Sequence, residues 1–156
     1  MTRKQLVTRT EIAKMAGQGN RHFLNRDARH LQKPLGEIAG LTKLGFHLIG
    51  VPIGSASSAL HQHLCEGECV YILEGAGTAR IGDMFLQVEA GDFIDCPAGG
   101  EAHDLHNSGS NILKCIIFGQ RLSFAIVDYP EQARRVYRAN VEKGDLVDMA
   151  VIVFRQ

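Results

Sequence analysis

Between about residue 43 and residue 119 the sequence consists of short apolar runs closed by turn-forming residues, and this pattern restricts the fold most strongly. The runs are KLGFHLIGV, SALHQH, CVYILE, GTARIG, MFLQVEAG, FIDCP, AHDLHN and ILKCIIFG. Each has the length of a strand, about four to eight residues, and none repeats with the period of an amphipathic helix. Many short strands separated by glycine-bearing turns predict an all-β sandwich or barrel.

The segment before this region predicts a short helix. Thr8 and Glu11 have capping-box spacing, so we expect a helix over about residues 9 to 16, ended by Gly17 and Gly19.

The segment after Gly119 also differs from the central pattern. Pro130 and the helix-compatible residues after it predict a helix over 131 to 139 with an exposed basic face. The run MAVIVF near the end predicts a last strand or a dimer-contact segment, because so apolar a run requires a cover.

The length and composition are those of one globular domain. A chain of 156 residues buries about 70 per cent of its unfolded surface, and 45% hydrophobic with 22% charged residues is ordinary for a folded protein. We expect a single domain over 1–156, with a barrel core at about 43–119, an N-terminal extension at 1–42 and a C-terminal extension at 120–156.

The charge balance disfavours two classes of partner. Lys plus Arg and Asp plus Glu both number 17, so the formal net charge is zero and nothing attracts the whole chain to nucleic acid or to an anionic membrane. The opening MTRKQLVTRTEIAKMAG lacks the apolar core of a signal peptide, and no run of about 18 apolar residues occurs. We therefore predict a cytoplasmic protein with neither nucleic-acid nor membrane partners.

Two histidines and a glutamate have the spacing of metal ligands. His61 and His63 lie two apart, so on a strand both imidazoles leave the same face. A turn at Gly67 can return the chain so that Glu68 faces them, and His103 follows after the turn PAGGEA. Three imidazoles and a carboxylate suit Mn, Fe, Ni, Co, Cu or Zn, whereas Ca and Mg prefer oxygen ligands. The alternative is that each histidine is a solvated or internally satisfied side chain.

The four cysteines give no comparable pattern. They form no CxxC pair, so we expect reduced thiols. Cys69 adjoins Glu68 and should point to the opposite face of a strand, which disfavours a thiolate ligand.

Two stretches that contain these residues resemble the motifs of the cupin superfamily. The first reads GSASSALHQHLCEGECVYILEG over 54–75, and the second reads GDFIDCPAGGEAHDLHN over 91–107. The gap from Gly54 to His61 is one residue longer than usual. A second extra residue precedes His103, although Gly100 stands at the usual distance from it. Neither departure removes a ligand type.

The resemblance implies a double-stranded β-helix, the cupin jelly-roll barrel, with short flanking helices. It also implies that His61, His63, Glu68 and His103 point inward to one divalent metal, and that the protein is a homodimer. A narrower resemblance, carried by LTKLGFHLIGVPIG and VDYPEQARRVYR, is to small single-domain bacterial cupins of the cupin 2 type that are described as candidate sugar-phosphate isomerases.

The implied function is that of a divalent-metal-binding cupin that isomerises a small sugar, sugar-phosphate or hydroxy-acid ligand. Two alternatives stay open, a metal-dependent dioxygenase and a non-catalytic cupin that binds or senses a small molecule. A DNA-binding regulator is disfavoured, because the chain leaves no room for a helix-turn-helix domain.

Three residues outside the ligand set are weak catalytic candidates. His47 would be a base or a pocket wall if its strand turns it inward. Glu66 and Glu101 lie in turns beside the ligands, where a carboxylate is usually only solvated.

The remaining polar residues favour structural interpretations. Arg134, Arg135 and Arg138 would form either a phosphate patch or, more in keeping with the pattern, a solvated helix face. Tyr71 has the opposite strand parity to Glu68 and should lie outside the barrel, and Asn107 should stabilise a turn. We assign no functional role to His22, His30 and His106 at this point.

Overall fold

The structure is a computed structural model that describes residues 4–139 and 144–153. In these residues the chain folds mainly into antiparallel strands. They are β1 (Gln18–His22), β2 (Asn25–Lys33), β3 (Leu44–Val51), β4 (Gln62–His63), β5 (Glu68–Glu74), β6 (Ala76–Ile81), β7 (Met84–Glu89), β8 (Phe93–Cys96), β9 (His103–His106), β10 (Leu113–Gln120), β11 (Phe124–Tyr129), β12 (Arg134–Ala139) and β13 (Asp145–Asp148).

Helical structure is confined to short segments. Helix α1 (Arg9–Lys14) begins at the predicted capping box, in which Thr8 Oγ1 accepts from Glu11 N and the Glu11 carboxylate accepts from Thr8 N. Helix α2 (Leu35–Ile38) follows Pro34. No helix among the described residues is long and apolar enough to cross a bilayer.

The strands form three sheets. The largest has the order β1-β2-β3-β10-β5-β8, the second β13-β12-β11-β4, and the third β7-β6-β9. All pairings between these strands are antiparallel, and β10 lies between β3 and β5 although it follows them in the chain. The all-β jelly-roll prediction is confirmed.

The core lies between the inward faces of the largest sheet and the three-stranded sheet. Burying an aliphatic side chain there contributes about 1.5–3 kcal/mol. The cluster consists of Ile49, Val51, Val70, Ile72, Ala79, Val88, Ile94, Cys96, Leu105, Leu113 and Cys115.

The apolar runs of the central region become strands except SALHQH, of which only Gln62–His63 do, because turn residues and alternation are local signals that the fold keeps. Gly75 is one such turn residue. Its φ of 86° is in the left-handed region, and an added Cβ would lie 2.8 Å from the carbonyl oxygen of Ile112. Only glycine meets both requirements.

The predicted helix over 131–139 is wrong. Pro130–Gln132 form one 3-10 turn, Ala133 takes a φ of 49° that ends it, and β12 then pairs along its whole length with β11. The residues are compatible with a helix locally, but strand pairing with a distant segment overrides that preference.

The prediction of a strand for MAVIVF is also wrong. Met149–Val151 form a 3-10 turn, and the last strand, β13, precedes the run. Residues 154–156 lie outside the described residues, so a dimer contact through this segment stays a prediction.

The N-terminal extension contains a hairpin that the sequence pattern did not reveal. Strands β1 and β2 pair with each other, and β2 extends the largest sheet by pairing with β3, with Gln32 opposite Ile49. The hairpin is mostly polar, so it lacks the apolar alternation by which strands are found. It carries His22, His30 and Gln32 to the mouth of the barrel.

Candidate metal centre

The structure brings together the four predicted ligands. His61 and His103 are joined by a pair of backbone hydrogen bonds, from His61 N to His103 O at 3.1 Å and from His103 N to His61 O at 2.8 Å. His63 ends β4, and Glu68 begins β5 after the turn at Gly67. One ligand atom from each of the four residues lies within 4.8 Å of the others.

Backbone carbonyls orient two of the imidazoles. His61 Nδ1 lies 3.0 Å from the oxygen of Ala59, and His103 Nδ1 lies 3.3 Å from the oxygen of Glu101. A carbonyl can only accept, so each Nδ1 carries a hydrogen, and an ion that displaced any proton from Nε2 would bind at that atom.

The Glu68 carboxylate lies between two histidines. Its Oε1 is 3.4 Å from His103 Nε2, and its Oε2 is 3.7 Å from His63 Nε2. Both oxygens therefore face the position where the imidazole nitrogens converge.

Burial and the mutual proximity of the four ligands shift their pKa values. Burial lowers the pKa of His61 to about 4, assisted by the neighbouring His103, and burial lowers the pKa of His63 as well. Burial alone would raise the pKa of Glu68, but the hydrogen bond from His103 and the nearby imidazoles outweigh it and lower that pKa. For His103 burial is opposed by Cys96 and Glu68, which raise its pKa to about 10. The Glu68 carboxylate is thus held as an anion that attracts a cation.

The donor set fits a divalent transition metal. Donors on opposite sides of an ion that binds each at about 2.0–2.2 Å are about 4–4.4 Å apart, so a spread of 4.8 Å requires shifts of only a few tenths of an ångström. The His63 Nδ1 atom is buried and has no hydrogen-bond partner among the described residues. A buried orphan nitrogen is costly, and an ion in this group would be a partner for an imidazole nitrogen of His63.

The ligands open into a cavity of about 230 Å³. His61, Glu68 and His103 lie on one side of it, and apolar side chains such as Ile49 and Val70 form part of the wall. The hairpin and β3 contribute His22, His30, Gln32 and His47 to the wall, and its other polar or charged side chains include Ser57, Ser58, Arg80 and Asp104.

The three weak catalytic candidates have different positions. His47 lines the cavity. Glu66 is only 5% exposed and accepts hydrogen bonds from Leu122 N at 2.7 Å and Arg138 Nη2 at 2.6 Å, so the expectation of a solvated carboxylate is wrong. Glu101 is exposed, and its carbonyl oxygen orients His103.

The three arginines form neither a phosphate patch nor a helix face. Arg135 makes a buried two-bond ion pair with Asp128, at 2.5 and 2.7 Å, across β11 and β12. Arg134 pairs with Asp148, and Arg138 pairs with Glu66. Each guanidinium is therefore engaged by a carboxylate of the same chain.

The structural assignments of the other residues hold. Tyr71 is 43% exposed on the outer face, and all four cysteines are free thiols. Asn107 stabilises its turn by accepting from Gly109 N, and it also donates to Val51 O and Asn111 O from a fully buried position.

Sequence reasoning missed His22, His30 and Gln32 as cavity residues. His30 and Gln32 lie two apart, as His61 and His63 do, so a strand places both on one face. That spacing was the available signal, but it indicates a shared face only if β2 is a strand, and the sequence pattern did not reveal that β2 is a strand beside β3.

Comparisons with known proteins agree with this architecture. The family model for the cupin domain, Cupin_2, matches residues 47–119. No curated protein sequence matches the chain. A crystal structure of a candidate sugar phosphate isomerase from Acidithiobacillus ferrooxidans ATCC 23270 is 42% identical, covers 98% of both chains and superposes with a TM-score of 0.93.

Two more distant structures share the fold. One is a sugar phosphate isomerase of the cupin superfamily from Silicibacter pomeroyi DSS-3, which is 21% identical over 81% of this chain and 80% of its own, with a TM-score of 0.74. The other is a predicted oxalate decarboxylase from Thermotoga maritima, 22% identical over 75% of this chain and 100% of its own, with a TM-score of 0.62. With its barrel, its two motifs and a near full-length relative, the chain belongs to the cupin superfamily.

Proposed function

We propose that this protein is a divalent-metal-dependent isomerase of a small sugar, sugar-phosphate or hydroxy-acid substrate. The observation that carries the proposal is the group of His61, His63, Glu68 and His103, which opens into a cavity lined by further imidazole and amide side chains. The name of the Acidithiobacillus relative supports the same reaction class.

The four ligands would hold one ion from the set Mn, Fe, Ni, Co, Cu or Zn. Such an ion would bind the carbonyl and hydroxyl oxygens of a substrate and increase the acidity of the hydrogen on the carbon beside the carbonyl. The residues of the chain then have to supply a base and an enclosed site.

His47 is a poor base in this site because both of its ring nitrogens are engaged. Arg121 Nη2 donates to His47 Nε2 at 3.2 Å, and the Gln32 carboxamide lies 2.8 Å from His47 Nδ1. Its role is that of a wall residue.

His30 is better placed to move a proton. Its Nδ1 lies 2.9 Å from the carbonyl oxygen of Ser57 and therefore carries the hydrogen, which leaves the lone pair on Nε2. The nearest polar atoms to Nε2, on Gln32 and Asn20, are 3.4 and 3.5 Å away. A lone pair with only such long contacts, on a residue that lines the cavity, can take the hydrogen from one substrate carbon and return it to the next.

The test combines a metal assay with an exchange assay. The chain is loaded with each candidate ion and incubated in deuterated water with aldose, ketose, phosphosugar and hydroxy-acid panels, and NMR records isomerisation and deuterium uptake. We expect turnover that His30→Gln reduces by about 10²–10⁴-fold without changing metal content. A double His61→Ala, His63→Ala variant should lose both the turnover and the bound metal.

Three results would contradict the proposal. Oxygen consumption with a panel member would indicate a dioxygenase. Ligand binding without turnover would indicate a binding module. Absence of bound metal after loading would remove the metal site itself. His106→Ala is the matched control, because His106 lies on β9 with His103 but contacts Gly54 O on the outside.

A further inference from the structure

Beyond the ligands, the polar part of the cavity lining contains one acidic and one basic side chain, Asp104 and Arg80, besides the three histidines His22, His30 and His47. His22 Nδ1 accepts from Leu24 N at 3.2 Å, so the ring hydrogen is on Nε2, which has no partner among the described residues. Burial lowers the pKa of His22, and burial together with Arg121 lowers the pKa of His47. Both rings are therefore neutral near pH 7 and present hydrogen-bonding atoms without charge.

The guanidinium groups near the cavity form ion pairs with carboxylates that do not line it. Arg80 borders it, but its Nη1 donates to Glu131 at 2.6 Å and its guanidinium lies 5.5 Å from the centre of the exposed Phe85 ring. Strand parity agrees, because the buried Ala79 beside it points inward. No lysine of residues 4–139 and 144–153 lines the cavity.

Arg121 is the next nearest guanidinium. It lies behind His47, outside the lining, and donates to Glu37 at 2.6 Å. It therefore fixes His47 and does not present its charge to the interior.

A phosphate group would be poorly solvated in such a cavity. Removing an anion from water is costly unless cations or several directed donors replace the water, and proteins use arginine, lysine or a helix N-terminus for this purpose.

We infer that the ligand of this site is an uncharged hydroxy-carbonyl compound, and that its phosphate ester is excluded. The free hydrogen-bonding groups that would meet its hydroxyls are His22 Nε2–H and the hydroxyl of Ser57, which lines the cavity and has no hydrogen-bond partner in the described part of the chain. The inference narrows the substrate class of the proposed function and rests on that function for the location of the site.

The experiment compares matched pairs on the metal-loaded full chain. Isothermal titration calorimetry is performed with erythrose, ribose and ribulose, and with the phosphate ester of each. We expect every free sugar that binds to do so at least about tenfold more tightly than its ester. An ester that binds as tightly as its parent sugar, or no binding by any free sugar, overturns the inference.

A matched pair of serine variants tests the wall. Ser57→Ala should weaken binding of the free sugar about fivefold, the loss of about one hydrogen bond. Ser55→Ala should not change it, since Ser55 is equally buried, two residues away, and outside the cavity. Equal effects of both variants would contradict the assignment of Ser57.

Failure of this inference and failure of the proposed function give different results. Free sugars that bind without turnover support the inference and reject the isomerase. Turnover of the esters retains the isomerase and rejects the inference.

Discussion

The carboxylate of Glu66 accepts a hydrogen bond from Arg138 Nη2 at 2.6 Å, across 72 positions of sequence. Glu66 lies between the ligands His63 and Glu68, and Arg138 lies on β12. Glu66 also accepts from Leu122 N. These two hydrogen bonds hold the turn between His63 and Glu68 against β12 and the segment that leads into β11.

Loss of the two Glu66 hydrogen bonds should destabilise the fold and weaken metal binding. Glu66→Ala removes a buried acceptor but leaves Arg138 partly exposed, with 27% of its side chain accessible, so we expect a loss of about 2 kcal/mol in unfolding free energy. The melting temperature should fall by about 4–8 °C, and metal affinity by about tenfold. Calorimetry and metal titration measure these changes.

Glu131→Ala is the matched control for that variant. Glu131 also pairs with an arginine at 2.6 Å, but its side chain is 49% exposed, so the loss should stay below about 1 kcal/mol. Equal destabilisation by the two variants would show that the Glu66 contact has no special role.

Removal of a ligand should lower metal content and thermal stability together. Glu68→Gln replaces the anionic donor by a neutral amide and His103→Ala deletes one imidazole, and we expect the metal content of dialysed protein to fall from about one ion per chain to near zero. An ion at a hundred times its dissociation constant stabilises by about 2.7 kcal/mol, so the melting temperature should fall by about 5–10 °C. An unchanged melting temperature with metal lost would mean that the ion does not brace the barrel.

These ligands were predictable because the required information is local. Alternation places His61 and His63 on one face, and Gly67 supplies the turn to Glu68. The hairpin of β1 and β2 was not predictable in this way, because its polar residues acquire a buried face only when β2 pairs with β3. The prediction that Arg135 lies on a helix face was wrong for the same reason, since its partner Asp128 lies on another strand.

The pair of Asp128 and Arg135 should make a large contribution to stability. Both side chains are 10% exposed, so Asp128→Ala leaves a buried guanidinium, at an expected cost of about 3–5 kcal/mol in unfolding free energy. Urea denaturation measures the loss. The double change Asp128→Leu, Arg135→Met should recover most of it, and a double variant as unstable as the single one would contradict this account.

Gln32 should affect turnover without affecting the metal. Its carboxamide lies 2.8 Å from His47 Nδ1 and 3.4 Å from His30 Nε2, so Gln32→Leu removes one polar contact from each ring. We expect kcat/KM to fall by about 10–100-fold while elemental analysis shows unchanged metal content.

The control is Gln18→Leu, because Gln18 pairs with Gln32 across the hairpin but is exposed and outside the cavity. If both variants reduce turnover equally, the hairpin acts only as a scaffold.

The match to the cupin domain model covers residues 47–119, whereas His22, His30 and Gln32 stand before it. The four residues that could hold an ion therefore lie inside the family match, whereas part of the cavity wall lies before it. A chain with the same three histidines and glutamate but a different hairpin would keep the candidate metal centre and present a different cavity wall beside it.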